Sequence, residues 1–146
     1  MSFIILSSCA THTSFSTFYK NNSHHSDFSL GLNSSFIRGF LPRDNQEIKQ
    51  LLKSAKHVRV MVFSNNTNQM NTKFNKFIKH STFDNLVKVK DDGNNIRVFS
   101  LDRNDKIKEI VVQISTGDEL ILLGLKTNLT QDELADIFND NDISFH

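Results

Sequence analysis

Hydrophobic and polar residues alternate along the second half of the chain with a period of two, which is the spacing of β-strands. The alternation predicts strands at residues 86–90, 96–101, 107–115 and 120–127. Short links rich in Asp, Asn and Gly separate these segments, and such links favour antiparallel hairpins over crossover connections. The second half of the chain therefore predicts a four-strand meander.

The first half of the chain mixes strand and helical spacing. Residues 27–32 and 57–64 alternate as strands do, and the second of these segments is apolar on both sides, which is typical of an interior strand. Apolar residues recur at three- and four-residue intervals in 34–41, in the stretch that begins at Asp44 and in the stretch that ends near His80. This spacing predicts three helices.

A last helix is predicted after the meander from the pattern at its start. Thr130 and Glu133 have the spacing of a capping box, and Leu129 and Leu134 have the spacing of a hydrophobic staple. Together, these elements predict an α+β domain. It has a largely antiparallel sheet with a C-terminal four-strand meander, and the helices are packed on the sheet.

The later strands are predicted to be apolar on both sides. In the fourth predicted strand of the chain, Phe99 and Leu101 fall on one side, while Ile96 and Val98 fall on the other. A sheet with one solvated face should alternate more cleanly between polar and apolar residues. Either helices cover both faces, or one face meets a partner or an apolar ligand.

Composition sets the class of protein. A chain of 146 residues suits a single domain with its own core. Because it contains 13 Phe and no Trp, phenylalanine is expected to carry that core. The net charge is +1 and no run of Lys and Arg is dense enough to neutralise many phosphates, so no nucleic-acid partner is expected.

The single cysteine, Cys9, follows a short apolar run and the residues Leu6, Ser7 and Ser8. This order is similar to the end of a bacterial lipoprotein signal, in which the cysteine thiol receives a diacylglycerol. A processed chain would begin at Cys9. We therefore expect residues 1–26 to be a signal remnant and polar tether, and residues 27–146 to be the α+β domain. Phe15, Phe18 and Tyr19 have helical spacing, so a short helix is expected within the tether. The alternative is an ordinary N-terminal segment with an incidental cysteine.

No combination of residues predicts a catalytic centre, a cofactor site or a metal site. His24 and His25 are adjacent, with His12 nearby, but adjacent side chains of an extended segment point apart and no third ligand stands at a suitable spacing. A polar tether is the simpler interpretation. Residues 91–95 offer oxygen ligands without the spacing of a calcium loop, which favours a hairpin turn.

The basic residues of the meander leave two interpretations open. They form a patch for anionic lipid or polysaccharide, or they belong to a solvated face of mixed charge, because acidic residues interrupt them in the sequence. These residues are Lys88, Lys90, Arg97, Lys106 and Lys108.

Two stretches of the meander resemble a known family. The first reads KVKDDG at 88–93 and IRVF at 96–99, and the second reads KIKEIVV at 106–112, GDEL at 117–120 and LLGL at 122–125. Together they resemble domain-of-unknown-function family 4252, small envelope proteins of Gram-negative bacteria. The resemblance covers roughly residues 27–138.

The resemblance implies an envelope protein and supplies no catalytic residues. Many members begin with a secretion or lipoprotein signal, which agrees with the position of Cys9. The chain departs from the family where KTNL stands at 126–129, since such proteins often have Gly-Asp there. If that exit is a turn with a positive φ, Thr127 is expected to be strained.

We expect a cell-envelope lipoprotein that acts as a non-enzymatic interaction module. Lipid on Cys9 would anchor it to the membrane, and a protein partner or a second copy would bind an apolar sheet face. Ala10 follows the cysteine and no acidic run comes next, so the periplasmic face of the outer membrane is the expected location. The alternative is a carrier or binding module for a small apolar or lipid ligand, which a deep apolar cavity would favour.

Overall fold

The computed structural model describes residues 14–32, 46–91 and 94–139. Helices α1 to α4 span Phe15–Asn22, Gln46–Ser54, Thr67–His80 and Gln131–Asn139, and a 3-10 turn at Ser23–His25 follows α1. Strands β1 to β6 span Phe28–Leu32, His57–Phe63, Asp84–Asp91, Asn94–Arg103, Lys106–Ser115 and Leu120–Leu129. The helix predicted at 34–41 lies outside the described residues.

The six strands form one antiparallel sheet in the order β1-β2-β6-β5-β4-β3. The run from β3 to β6 is the predicted meander, since each of these strands pairs with the next one in the chain. Strand β2 lies between β1 and β6, so the interior position predicted from its apolar pattern is confirmed. The α+β class and the largely antiparallel sheet are confirmed.

The aliphatic face of the sheet is covered by α2 and α4. Its packing uses branched aliphatic side chains almost throughout, as expected for a pleated surface buried under helices. The buried residues of this cluster are Leu51, Leu52, Ala55, Val58, Val60, Val87, Val98, Ile107, Ile110, Val112, Leu123, Leu125, Leu129 and Leu134.

The aromatic face is the opposite side of the sheet, covered by α1 and α3. Its buried cluster consists of Phe15, Phe18, Met61, Phe63, Met70, Phe74, Phe83, Phe99, Leu101, Val111, Leu120 and Leu122. The rings meet in stacked, tilted and edge arrangements, and the edge contact of Phe18 with Phe74 has its centroids 5.8 Å apart. The expectation that phenylalanine carries the core therefore holds for one of the two faces.

Helix α1 corrects the predicted polar tether at residues 1–26. The described part of that segment, 14–26, is folded onto the aromatic face, where Phe15 is 2% exposed and Phe18 is 4% exposed. Asn22 is also buried, and its side-chain amide donates to the Phe18 carbonyl at 2.9 Å. Two fully buried phenylalanines outweigh the polar composition of their surroundings, because each contributes about 1.5–3 kcal/mol of burial.

The exit of the last strand is not the strained turn considered for Thr127. Strand β6 continues to Leu129, and Thr127 lies within it, 5% exposed. Its hydroxyl donates to the Ile107 carbonyl at 2.7 Å, next to an irregularity in the pairing of β5 with β6. Threonine therefore fits this position as a strand residue with a satisfied hydroxyl.

Left-handed backbone occurs instead at the hairpin between β4 and β5. Asn104 and Asp105 have φ values of 55° and 64°, the only positive values among the non-glycine residues that the structure describes. Both residue types tolerate this region, and two such residues in succession suit a tight hairpin. The predicted turn at this point is confirmed.

The predicted capping box at the start of α4 is confirmed. The Glu133 backbone N–H donates to the Thr130 hydroxyl oxygen at 3.1 Å, and the Thr130 backbone N–H donates to Glu133 Oε1 at 2.9 Å. The hydrogen bond from the Thr130 backbone N–H lowers the pKa of Glu133 most strongly, and one with the Thr130 side chain lowers it further. The staple residues Leu129 and Leu134 are both buried in the aliphatic cluster.

Replacing Thr130 by alanine is expected to lower the free energy of unfolding by about 1 kcal/mol, because one amide at the helix start loses its acceptor. Urea unfolding measures this loss, with Thr130→Ser as the control that keeps the hydroxyl. Because the folded state lowers the pKa of Glu133, this carboxylate supports the fold above its ordinary pKa, and its support is lost as pH falls. A loss from Thr130→Ala that equals the loss from Thr130→Ser would contradict the capping role.

Candidate functional site

A strip of four aliphatic side chains lies across one end of the aliphatic face. Val62, Ile121, Ile114 and Ile96 stand opposite one another on β2, β6, β5 and β4. All four are half-buried, whereas the next row along the same strands is buried. We call these four residues the aliphatic strip.

The buried neighbouring row shows how the strip differs. Val60, Leu123, Val112 and Val98 occupy the same four strands and are at most 8% exposed. The strip packs against the cluster beneath α2 and α4 but keeps solvent contact. Both alternatives for the strands that are apolar on two sides therefore hold in part. Helices cover both faces, and one end of the aliphatic face stays partly uncovered by the described residues.

The second candidate surface lies on the aromatic side, between α1 and α3. A groove of about 500 Å³ runs between these helices, with Phe18 and Phe77 at its base. Its polar rim is formed by Thr17, Asn21, Lys73, Lys76 and His80, and the buried Asn22 also contributes to the lining. The groove is open to solvent and mixes apolar, amide and basic groups, so it differs from the deep apolar cavity that a carrier would need.

Glu109 holds the start of α1 onto the sheet. Its Oε1 accepts the Phe15 backbone N–H at 3.0 Å, so a strand residue caps a helix that lies 94 positions earlier in the chain. Ser14 precedes the helix, but its side chain makes no capping hydrogen bond. Burial raises the pKa of Glu109, although the Phe15 hydrogen bond and nearby Lys126, Arg103 and Arg59 oppose that rise.

Glu109→Gln is expected to stabilise the fold at neutral pH and to lose that advantage in acid. Because the folded state raises the pKa above its ordinary 4.5, the charged carboxylate weakens the fold as pH rises through that raised value. Glutamine keeps an oxygen acceptor for Phe15 without the charge. Urea unfolding of both proteins across this pH range tests the prediction.

The control for that experiment is Glu119→Gln, since Glu119 is exposed in the turn between β5 and β6. The two variants should differ in how their stability relative to the parent changes with pH. If Glu109→Gln had a lower free energy of unfolding than the parent at neutral pH and an equal one in acid, burial would not raise the pKa of Glu109.

A second polar group on the aromatic face ties α3 to the sheet. The buried Gln113 accepts from Arg97 Nε and donates to Asn71 Oδ1, each at 2.5 Å. Arg97 Nη2 also donates to Asn75 Oδ1 at 2.6 Å, and its guanidinium lies 5.3 Å from the centroid of the Phe99 ring. Burial lowers the pKa of Arg97. These contacts position a helix and leave Arg97 occupied.

The five basic residues of the meander do not form one group on the sheet. Lys88 lies opposite Arg97 in the pairing of β3 with β4, on the aromatic side. Lys106 and Lys108 lie near the other end of the sheet, where Lys108 Nζ donates to Asn128 Oδ1 at 2.7 Å. The mixed-charge interpretation of this set is therefore favoured over a single basic patch.

The histidine pair has a different local geometry from the extended segment assumed in its interpretation. His24 and His25 lie in a 3-10 turn, and their ring centroids are 3.9 Å apart. Desolvation, His24 and Lys73 lower the pKa of His25, in that order. Among the described residues, no group of three or more His, Cys, Asp or Glu side chains is placed to hold a metal ion. Cys9 and His12 lie outside them.

Among residues 14–32, 46–91 and 94–139, none of the helices has the length and apolar character of a membrane span.

The predicted turn at residues 91–95 is described only at its edges, where β3 ends at Asp91 and β4 begins at Asn94. The register pairs these two residues with each other, which fits the hairpin interpretation.

The model of a known family matches residues 19–137 of the chain, and its description reads domain of unknown function, DUF4252. The chain belongs to the DUF4252 family. The matched range runs from within α1 to within α4, so the DUF4252 match takes in all six strands and the helices on both faces. No curated protein and no solved structure matches the chain.

Sequence reasoning missed the groove, the Glu109 cap and the packing of α1 on the sheet, although the short helix itself is confirmed at Phe15–Asn22. A signal for Glu109 was present in the sequence, because the alternation along β5 puts it on the same face as Val111 and Gln113, which are buried. A charged residue at an inward-facing position needs a partner. The partner itself could not be found locally, since it lies at Phe15.

Proposed function

We propose that this protein is a cell-envelope lipoprotein that acts without catalysis, by binding a protein partner through the aliphatic strip. The observation that carries the proposal is the strip itself: four branched aliphatic side chains in register, half-buried, on four adjacent strands. Single exposed apolar residues are ordinary on protein surfaces, whereas contiguous ones mark interaction sites. A partner would remove the remaining apolar surface from water.

The anchoring part of the proposal is supported by the sequence. Cys9 follows Leu6, Ser7 and Ser8 in the order of a lipoprotein processing site, and its thiol would carry the lipid. A diacylglycerol brings two acyl chains, and two chains are enough for stable attachment to a membrane. We place the protein on the periplasmic face of the outer membrane, because Ala10 and no acidic run follow the cysteine.

A carrier of a small apolar or lipid ligand is the second candidate, and the groove between α1 and α3 is what favours it. Phe18 and Phe77 offer an apolar base there. The rim, however, carries Lys73, Lys76 and His80 around an opening to solvent. This lining suits a charged headgroup better than an enclosed acyl chain, so we rank the carrier below the interaction module.

Photo-crosslinking tests the proposed role of the strip. Benzoylphenylalanine would be placed at Ile114 or Ile121 in cells that make the protein naturally, with Lys79 as the control position. Lys79 is exposed on α3, on the other side of the sheet. Both strip positions are expected to give the same adduct, and Lys79 is expected not to give it.

A strip variant makes the result specific. Ile96→Asp, combined with the probe at Ile121, is expected to abolish the adduct, because a carboxylate at the strip cannot be buried without a partner charge. An adduct with twice the mass of the chain would identify a second copy as the partner. Equal adducts from Lys79 and Ile121, or none from either strip position, would contradict the proposal.

A further inference from the structure

We propose that the layer formed by α1 and α3 docks on the surface of an anionic phospholipid membrane, with lipid phosphates seated in the groove between the two helices. The first observation is charge. Neither helix contains an acidic residue, and together they carry Lys20, Lys73, Lys76 and Lys79, all of them exposed. A membrane surface rich in anionic lipid attracts each such lysine.

The opposite side of the sheet does not repeat this pattern. Helix α2 carries two lysines and one glutamate, and α4 carries three acidic residues and no basic one, so the two helices together are net negative. The protein as a whole is nearly neutral, at +1, so the positive charge of the helices on the aromatic side is local. Charge of this distribution orients a protein on an anionic surface rather than only attracting it.

The groove supplies the chemistry that a phospholipid headgroup needs. Lys73 and Lys76 stand one helical turn apart on α3 and offer ammonium donors to a phosphate. Asn21 and Thr17 on α1 offer an amide and a hydroxyl to the ester oxygens. Phe18 and Phe77 beneath them offer an apolar contact for the glycerol and the first methylene groups.

The short stretch of chain between Cys9 and α1 adds an argument that rests on the proposed function. Five positions separate Cys9 from Ser14, which directly precedes α1. Five residues reach at most about 18 Å, whatever their conformation. A lipid on Cys9 would therefore keep α1 close to the membrane, and the aliphatic strip, on the opposite side of the sheet, would face away from it.

Vesicle cosedimentation of the full-length Cys9→Ser protein tests the docking without any lipid anchor. The Cys9→Ser protein is expected to bind vesicles that contain phosphatidylglycerol and not to bind vesicles of phosphatidylcholine alone. Its binding should weaken as the salt concentration rises. Replacing Lys73 and Lys76 by alanine is expected to weaken binding about thirty-fold, at about five-fold for each lysine. Urea unfolding of the variant checks that it remains folded.

The matched control is the pair Lys53→Ala and Lys56→Ala, which removes the same net charge. Both lysines are exposed, Lys53 at the end of α2 and Lys56 just before β2. This pair is expected to change binding by less than about two-fold, because its side of the sheet faces away from the membrane. Equal losses from the two pairs would show attraction by net charge alone and overturn the proposal.

Three further outcomes would also overturn the proposal. The first is equal binding to both kinds of vesicle. The second is binding of glycerol phosphate that depends on Lys73 and Lys76, without vesicle binding, which would assign the groove to a soluble phosphate ester. The third is tighter binding to a DNA duplex than to the anionic vesicles. None of these outcomes bears on the lipidation of Cys9, because the tested protein has serine at that position. A failure of the docking proposal is therefore distinct from a failure of the proposed function.

Discussion

Replacing Phe15 by alanine is expected to lower the free energy of unfolding by about 3–5 kcal/mol. The ring is 2% exposed and lies within the aromatic cluster, with its centroid 6.0 Å from that of Phe18 and 6.5 Å from that of Phe77. Truncation leaves a cavity beneath α1 and detaches the helix from the sheet. Urea unfolding measures the loss, and a polar tether at residues 1–26 would instead give a change near zero.

Gly124 provides a sharper test of the same contact. A Cβ built at this position would overlap the Phe15 ring, since even the ring's Cγ would be 2.8 Å away. Gly124→Ala is therefore expected to cost about 1–3 kcal/mol, as overpacking in a core does. In a Phe15→Ala background the overlap is gone, and the same change should become neutral or stabilise by about 0.5–1 kcal/mol, because glycine weakens a strand interior.

The control is Gly117→Ala, because a Cβ at Gly117 would meet nothing within 4 Å. That change should be close to neutral with either residue at position 15. If Gly124→Ala were equally costly with and without the Phe15 ring, the close approach of α1 to β6 would not be the reason for the glycine.

The second large effect is expected at the C-terminal helix. Leu134 is 4% exposed and packs in the aliphatic cluster beneath α4, so Leu134→Ala should cost about 2–5 kcal/mol. The nearby cap variant Thr130→Ala is expected to cost only about 1 kcal/mol. The contrast separates docking of the helix from its local start, and urea unfolding of both variants measures it. A nearly neutral Leu134→Ala would mean that α4 does not cover the aliphatic face.

The strands and their turns could be predicted because their signals are local. Period-two alternation placed the meander, and the tight links between its strands fixed its antiparallel pairing. The capping box at Thr130 and Glu133 was equally local, and its two hydrogen bonds form as predicted. The ends of the strands differ from their predicted positions by a few residues. Strand β6, predicted to end at Thr127, continues to Leu129.

The tether prediction failed because composition averages over a segment, whereas burial depends on a few positions. Phe15 and Phe18 hold α1 in place although polar residues surround them. The partners that fix the helix, Glu109 and Gly124, lie more than 90 positions away, and no local pattern predicts such a contact. The helical spacing of the two phenylalanines predicted the helix, but not that the helix packs on the sheet.

The division of the core into an aliphatic and an aromatic face was also hidden in the sequence. Alternation shows that a strand has two apolar sides, but it does not show which helices cover each side. The aliphatic strip became visible only when the register aligned Val62, Ile121, Ile114 and Ile96. A row across four strands is a property of the sheet, not of any one strand.

The intact mass of the protein, recovered from the membranes of cells that make it naturally, tests the central claim of an envelope lipoprotein most directly. The proposed function predicts a chain that begins at Cys9 and carries the added mass of a diacylglycerol. A chain that extends upstream of Cys9, with an unmodified thiol, would contradict it.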